Sequence, residues 1–548
     1  MALDPVALEV MANAFAAVAE EMGLVLIHSS LSPNIRERRD CSAALFDERG
    51  EMIAQAAHIP VHLGAMAEAV AAVRAHRPEP RPGEVFIIND PFTGGTHLPD
   101  LTLVEAVEVE RRVGGYSVVR AHHSDVGGAQ PGSMPAGARE IFAEGLILPP
   151  LPFTPEVERV LLANVRTPVM RRGDLAAQRA AAARGGEGLR ALVSRYGWPA
   201  VRAAAADLMD YAERRTRAAL SQLVVTDARA TDVLEGDGVE DRDLEIRVRV
   251  DVQDGVLHAD FSGSAPLAPG NVNCPLAVTR SAVLFVARTL LPGDVPTNGG
   301  VSRAVRVTAP EGCLVNARWP AAVAAGNVET SQRIADTVFL ALAEAGVPVP
   351  AQGQGTMNNV TFGGQRATGN PKGLPDGRGQ RLFGWTYYET IGGGQGASAA
   401  GDGPSGVHVG MSNTRNTPIE VLELECPVRV RTYAIRRGSG GEGKWVGGDG
   451  AVREYEALEP MEASILSERR RHAPRGAAGG ADGAPGRALK NGRPLPAKTV
   501  TRLEPGEALR VETPGGGGWG KPDAKTLTRQ DAKASRHQGA KGRKDGRR

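Results

Sequence analysis

The sequence predicts a mixed α/β (α+β) protein of several domains, with an N-terminal α/β portion and a β-rich, glycine-rich C-terminal portion. Three observations lead there. At 548 residues the chain is too long for one hydrophobic core. Helical and strand periodicities alternate along its first two thirds. Beyond about residue 350 glycine becomes frequent and short β-prone runs alternate with turns.

The elements follow in order. Asp4-Pro5 ahead of Val6, Val10, Met11, Phe15 and Val18 reads as a capped amphipathic helix. Residues 42–46, the turn 47–50 and the run after it suggest a hairpin, and 59–74 a second helix. Residues 84–89 (EVFIIN) and 116–121 (YSVVRA) are apolar and β-prone, and both end where polar chemistry begins. Helical, Ala- and Arg-rich segments cover 174–184 and 200–223, the second opened by Pro199 where a first-turn proline is tolerated. Residues 241–252 and 256–261 pair across Gln253-Asp254-Gly255, a hairpin signal. Residues 281–291 and 329–345 read as core helices, and 407–413, 428–435 and 463–467 as strands. We divide the chain into an α/β domain at 1–225, a mixed domain at 226–350, a β-rich domain at 351–520 and a tail at 521–548.

Composition excludes some function classes. A net charge of +1 gives no reason to expect nucleic acid or a membrane surface as partner. The tail is the exception, with ten Lys/Arg against three Asp and almost no large apolar side chains, so it is expected to be solvated and disordered. Cys41, Cys274, Cys313 and Cys426 form no CxxC pair, which argues against a zinc knuckle or a disulfide framework. The first residues carry no signal-peptide pattern, and no apolar run reaches the roughly 18 residues of a membrane span, so a cytoplasmic setting is expected.

The chemistry is densest between 89 and 128. Asn89-Asp90-Pro91-Phe92-Thr93-Gly94-Gly95-Thr96-His97-Leu98-Pro99-Asp100 and Ala121-His122-His123-Ser124-Asp125-Val126-Gly127-Gly128 place six candidate ligands in two loops. Imidazole and carboxylate together suit divalent Mn, Fe or Zn. His97 and Asp100 are two residues apart on a loop stiffened by Pro99, so both can turn to one ion, with His122 or His123 completing the set. Neighbours on an extended strand point opposite ways, so one of that pair binds and the other orients substrate or transfers a proton. The alternative is a structural network in which the histidines satisfy loop backbone. A second polar group, His28, Arg36, Arg38, Arg39, Asp40, Cys41, His58 and His62, could hold a carboxylate-bearing substrate or form ion pairs. Cys41 lacks an activating base in sequence. Gly438–Lys444 fits GxxxxGK, yet Trp445 replaces the Mg²⁺-binding hydroxyl and Gly447-Gly448-Asp449-Gly450 argues against a following helix, so no nucleotide site is expected.

The segments NDPFTGGTHLPD (89–100), AHHSDVGG (121–128), DFSGSAP (260–266), NVNCPLAVTRSAV (271–283), GNVETSQRIADTV (326–338), ETIGGGQGA (389–397), MSNTRNTPIEVLE (411–423) and RRGSGGEGKWVGGDG (436–450) resemble the hydantoinase B/oxoprolinase family, which also includes acetone and acetophenone carboxylase subunits. The resemblance spans about 1–520 and leaves the tail outside. It implies a metal-binding subunit of an ATP-dependent cyclic amidase in a hetero-oligomer with a hydantoinase A-like subunit that binds ATP and Mg. The partner would phosphorylate the oxygen of a lactam or hydantoin, and water would then open the ring. Carried over by motif, His97, Asp100 and His122 hold the metal, while Asp90, His123 and Asp125 serve substrate or proton transfer. Ketone carboxylation and a non-catalytic scaffold for the ATP-binding partner are the alternatives it leaves open.

Overall fold

A computed structural model describes residues 4–57, 59–366 and 383–522. The basic tail, apart from Lys521 and Pro522, and His58 lie outside the described residues. The architecture is the expected mixture of helices and several sheets.

Helix α1 (Pro5–Ser29) is capped as its sequence predicts, the Asp4 carboxylate accepting the amides of Val6 and Ala7. It is long and apolar enough to cross a membrane by composition alone, a property that the sequence reading denied to every run. Its face of Phe15, Ala19, Met22 and Leu26 is nevertheless wholly buried within the protein. The short α2 (Pro33–Arg36) leads into the hairpin β1 (Cys41–Asp47) and β2 (Met52–Ala57), followed by α3 (His62–His76), β3 (Val85–Ile88), β4 (Asp100–Val109), β5 (Arg112–His122) and β6 (Leu151–Pro152). These strands form one six-stranded sheet in the order β2-β1-β5-β4-β3-β6, antiparallel throughout.

Both faces of this sheet are covered, and the two-residue period of a strand divides its side chains between them. Ala43, Leu45, Val119 and Ala121 pack on α1 and on α5 (Pro168–Tyr196), which follows the shorter α4 (Pro155–Ala163). Ala44, Phe46, Val104, Ala106 and Val118 pack on Met66, Val70 and Val73 of α3. Gly188 lets α5 lie close on α1, since a Cβ there would stand 2.4 Å from Val18.

Helix α6 (Trp198–Leu220) leads to a second sheet of β7 (Ala228–Glu235), β8 (Asp243–Gln253) and β9 (Val256–Asp260), joined through α7 (Leu276–Thr289) and α8 (Gly299–Arg303) by β10 (Val305–Thr308), parallel to β9. The β8–β9 turn has Asp254 and Gly255 at φ of 51° and 69°, the geometry of a two-residue hairpin. Helix α7 packs against α3 and against α9 (Ser331–Glu344), which a π-helical turn at Gly326–Thr330 precedes.

The last part contains β11 (Asn359–Arg366), β12 (Phe383–Glu389), α10 (Ile419–Glu425), β13 (Val428–Arg436), β14 (Gly450–Ala457), β15 (Met461–Leu466), β16 (Arg487–Lys490), β17 (Arg493–Leu495), β18 (Lys498–Leu503) and β19 (Ala508–Glu512). Sheets β12-β11-β15-β18 and β13-β14-β19-β16-β17 share a core around Phe362, Tyr387, Tyr455, Leu509 and Val511. The strand expected at 407–413 does not form. Its backbone makes only an isolated bridge, Gly393 to Val407, because the surrounding glycines pack extended chains at backbone distance instead of in ladders. No helix follows the glycine-rich run at 438–444, as Gly447-Gly448-Asp449-Gly450 predicts.

Candidate metal centre

Two strand ends build the centre. Asp100 is the first residue of β4 and His122 the last of β5, and the two are direct cross-strand partners. Partners of this kind hold their Cβ atoms on one face about 4.5–5.5 Å apart. The shared face is the one that α3 covers, and α3 contributes His62. His97 enters from the loop before β4, where Asn89 fastens the chain by donating to the carbonyls of Leu98 and Leu146 and accepting the Leu148 amide. Gly95 is required here, since a Cβ would stand 2.4 Å from the Asn89 carbonyl oxygen.

Three ligand atoms form a nearly regular triangle. His97 Nε2 lies 3.2 Å from Asp100 Oδ1, His122 Nδ1 lies 3.2 Å from the same oxygen, and the two nitrogens are 3.2 Å apart. Donors held about 2.1 Å from one ion at ordinary coordination angles are separated by roughly 3.0–3.4 Å. Among the described residues this is the one group of His, Cys, Asp and Glu side chains close enough to share an ion.

Proton placement bears on the same point. His97 Nδ1 faces the Ala324 carbonyl oxygen at 3.3 Å, and a carbonyl only accepts, so this nitrogen carries the hydrogen. In the neutral ring Nε2 then presents a lone pair toward a carboxylate oxygen. Two acceptors in contact repel unless a proton or a cation lies between them. The other carboxylate oxygen, Oδ2, accepts from Thr96 Oγ1 at 2.5 Å, with Asn327 Nδ2 at 3.5 Å and His62 Nε2 at 3.4 Å. That leaves Oδ1 to the two imidazoles.

The centre is closed from solvent, with His97, Asp100, His122 and His62 each 3% exposed or less. Burial alone would raise the Asp100 carboxyl, but the charges of His97 and His62 and the hydrogen bonds of His122 and His62 hold it well below the usual carboxylate range. Burial pushes His122 down, keeping its ring in the neutral form that a metal ligand needs. Tyr388 of β12 stacks on that ring, with centroids 4.4 Å apart at 19°.

The remaining candidates stand elsewhere. His123 points to the opposite sheet face, as strand alternation expects, and pairs Nε2 with Gln178 Oε1 of α5 at 2.8 Å. Burial, and then Arg171, push it down to about 4. Asp125 is bound to Arg166, accepting its backbone amide at 2.6 Å and its guanidinium at 2.7 Å. Asp90 caps the short turn after it through the Phe92 amide. Of the second polar group, Arg38 is wholly buried and donates to the Tyr388 carbonyl and Thr390, so it ties the N-terminal segment to β12. Burial, and the charge of Asp40, raise the Cys41 thiol, which argues against a nucleophile. Sequence reasoning placed His62 in that second group and gave the π turn no role. Yet the turn aims Asn327 at Asp100 and sets Glu329 behind Asn359, which accepts from the Tyr388 hydroxyl. The GNVET segment itself was the available signal.

A family model described as hydantoinase B/oxoprolinase matches residues 4–522. An uncharacterized protein of Methanocaldococcus jannaschii is 38% identical over 95% of this chain and 91% of its own length. A Pseudomonas sp. protein named as a putative subunit of a D-/L-hydantoinase is 30% identical over 95% of this chain and 90% of its own. Arabidopsis thaliana 5-oxoprolinase 1 is 37% identical over 94% of this chain, which spans only 42% of that longer protein. Among solved structures, the ATP-dependent caprolactamase of Pseudomonas jessenii superposes with a TM-score of 0.84 at 30% identity, covering 96% of this chain and 93% of that one. Nucleotide-free acetone carboxylase superposes at 0.81 but 16% identity, over 94% of this chain and 76% of its own, a likeness of fold alone.

Proposed function

The chain belongs to the hydantoinase B/oxoprolinase family, and from that membership we propose that it is the metal-binding subunit of an ATP-dependent enzyme that hydrolyses a lactam or hydantoin ring, working with a hydantoinase A-like subunit that binds ATP and Mg. The observation that carries this reading is the His97–Asp100–His122 triangle, whose edges all measure 3.2 Å and whose His97 tautomer is set by Ala324. Mn, Fe and Zn all suit two imidazoles and a carboxylate. A divalent ion held by His97, Asp100 and His122 would supply Lewis acidity toward a carbonyl or a water at neutral pH.

The chain's own residues arrange the rest. Ala324 aims the lone pair of His97 inward. Thr96 and Asn327 fix the rotation of the Asp100 carboxylate. His123 faces α5 on the other side of the sheet and Asp125 is bound to Arg166, so we assign proton handling to His62, which lies on the triangle's side with its Nε2 3.4 Å from Asp100 Oδ2 and its Nδ1 3.0 Å from Ser42 Oγ. Asp90 and Asp125 shape the loops that carry the triangle. A centre closed from solvent favours this division of labour, because a phosphorylated, hydrolysis-prone intermediate made at the partner's nucleotide must be kept from bulk water until it is aligned.

The test is metal analysis of the purified chain, followed by ATP-consumption assays with its co-expressed partner on lactams and hydantoins. The reading expects one Mn, Fe or Zn per chain, bicarbonate-independent ring opening, and loss of both in His97→Ala. A metal-free chain whose His97→Ala form supports full activity would leave a scaffold. Strict bicarbonate dependence would make the enzyme a carboxylase.

A further inference from the structure

A cavity of about 230 Å³ opens between the segment after α1, the start of α5 and strand β12. Asn34 and Tyr388 both line it, and both touch His122: Asn34 Nδ2 donates to the His122 carbonyl at 2.6 Å, and Tyr388 stacks on its ring. The cavity wall is therefore one residue away from the triangle. Its volume falls below the roughly 300–1,000 Å³ of pockets for drug-sized ligands and suits a single small ring. The wall is mainly aromatic and aliphatic, with the Asn34 amide and the hydroxyls of Ser124, Thr167 and Thr386 among its uncharged polar groups.

Its charge is one-sided. Among the described residues no Lys, Arg or His lines it, and the one ionisable carboxylate on it is Glu425. The nearby guanidiniums have partners. Arg38 is wholly buried and donates to the Tyr388 carbonyl and Thr390, while Arg36 pairs with Glu37 and with Glu425 itself. A carboxylate on an entering ring would meet Glu425 on the wall itself, while Arg36, which pairs with Glu425 at 3.5 Å, is not among the lining residues. We infer that this cavity admits the substrate, and that Glu425 makes it selective for cyclic amides without a charged substituent, against those that carry a carboxylate. The inference rests on the cyclic-amidase reading and narrows it.

The comparison to run uses the full chain with its ATP-binding partner on two rings that differ only by the carboxylate, 2-pyrrolidinone and 5-oxoproline, with ε-caprolactam and hydantoin as further neutral rings. Neutral rings are expected to lead by at least about tenfold in kcat/KM, through KM. In Glu425→Lys the ratio should shift toward 5-oxoproline by about tenfold or more, and in the milder Glu425→Gln by about threefold. Trp385 lies in the wall, so ligand-induced fluorescence change that is lost in Trp385→Phe locates binding independently of turnover. A tenfold preference of the unaltered enzyme for 5-oxoproline overturns the neutral-ring inference and leaves cyclic-amide hydrolysis standing. Neutral preference that neither Glu425 variant moves, or fluorescence change that survives Trp385→Phe, overturns the assignment to this cavity. ATP consumption with none of the four rings overturns the underlying reading.

Discussion

Replacing Asp100 by Asn removes one donor and the only formal negative charge from the triangle while keeping the side chain's shape. In the structure Oδ1 is shared by His97 and His122 at 3.2 Å, and Oδ2 by Thr96, His62 and Asn327. An amide can keep one of these two roles but not both. Thr96→Val is the graded control, since it deletes only the 2.5 Å hydrogen bond that orients the carboxylate. Loss of a residue that orients a ligand typically weakens metal binding about 10–100-fold. Loss of the ligand itself should exceed that, about 1,000-fold or 4 kcal/mol. Competition between the chelated chain and a metal indicator gives the affinities of the unaltered chain, Thr96→Val and Asp100→Asn for Mn²⁺ and Zn²⁺. Binding should also raise the thermal midpoint of the unaltered chain, since a ligand at 100 times its Kd adds about 2.7 kcal/mol. Equal affinities within threefold across the three proteins, with no metal-dependent rise in midpoint, would refute the metal centre. The triangle would then be a protonated hydrogen-bond network.

The parts of the centre that sequence showed are those whose spacing is local. THLPD puts His97 and Asp100 on one stiff turn, and the AHH run at a strand end makes one histidine face that turn and the other face away. Which of the two faces the turn depends on sheet register, which the sequence reading did not contain because it read no strand between Asn89 and Tyr116. Strand β4 fills that gap and makes Asp100 and His122 cross-strand partners, so the two loops of the sequence reading are two strand ends. His62 and Asn327 were illegible for another reason. They reach Asp100 from α3 and from the π turn, 38 and 227 positions away in sequence, and only the packing of both elements on the same sheet face brings them there. The π turn itself is one inserted residue in a helix, which leaves the apolar pattern of 329–345 intact and so cannot be read from periodicity. The expected strand at 407–413 failed on composition: glycine-rich neighbours allow extended chains to pack by backbone contact, and alternation there carries no face preference.

Three further outcomes follow from burial. Arg453 Nε and Glu389 Oε1 pair at 2.7 Å with both side chains wholly buried, so Arg453→Met or Glu389→Leu alone should cost about 3–5 kcal/mol and the double variant less than the sum, checked by denaturant unfolding; additive costs would show that the pair is not coupled. Gly326 starts the π turn where an added Cβ would stand 1.9 Å from the Asn273 carbonyl oxygen, so Gly326→Ala should lower the thermal midpoint and weaken metal binding together, and unchanged values for both would show that the turn relaxes freely. Glu144, wholly buried, accepts the amides of Val323 and Ala324 at 2.9 Å, and burial raises its carboxyl to about 8. Because that value lies above the unfolded one, the native state binds the extra proton between about pH 4.5 and 8, and the stability this proton gives is lost as pH rises through that window. Glu144→Gln cannot titrate, so its unfolding free energy relative to the unaltered chain should climb from pH 5 to pH 9, by a few kcal/mol at most given about 1.4 kcal/mol per pKa unit. A difference that stays flat across that range would mean that Glu144 is already ionised in the native protein, and that the Ala324 backbone, whose amide it accepts and whose carbonyl faces His97, rests on a charge.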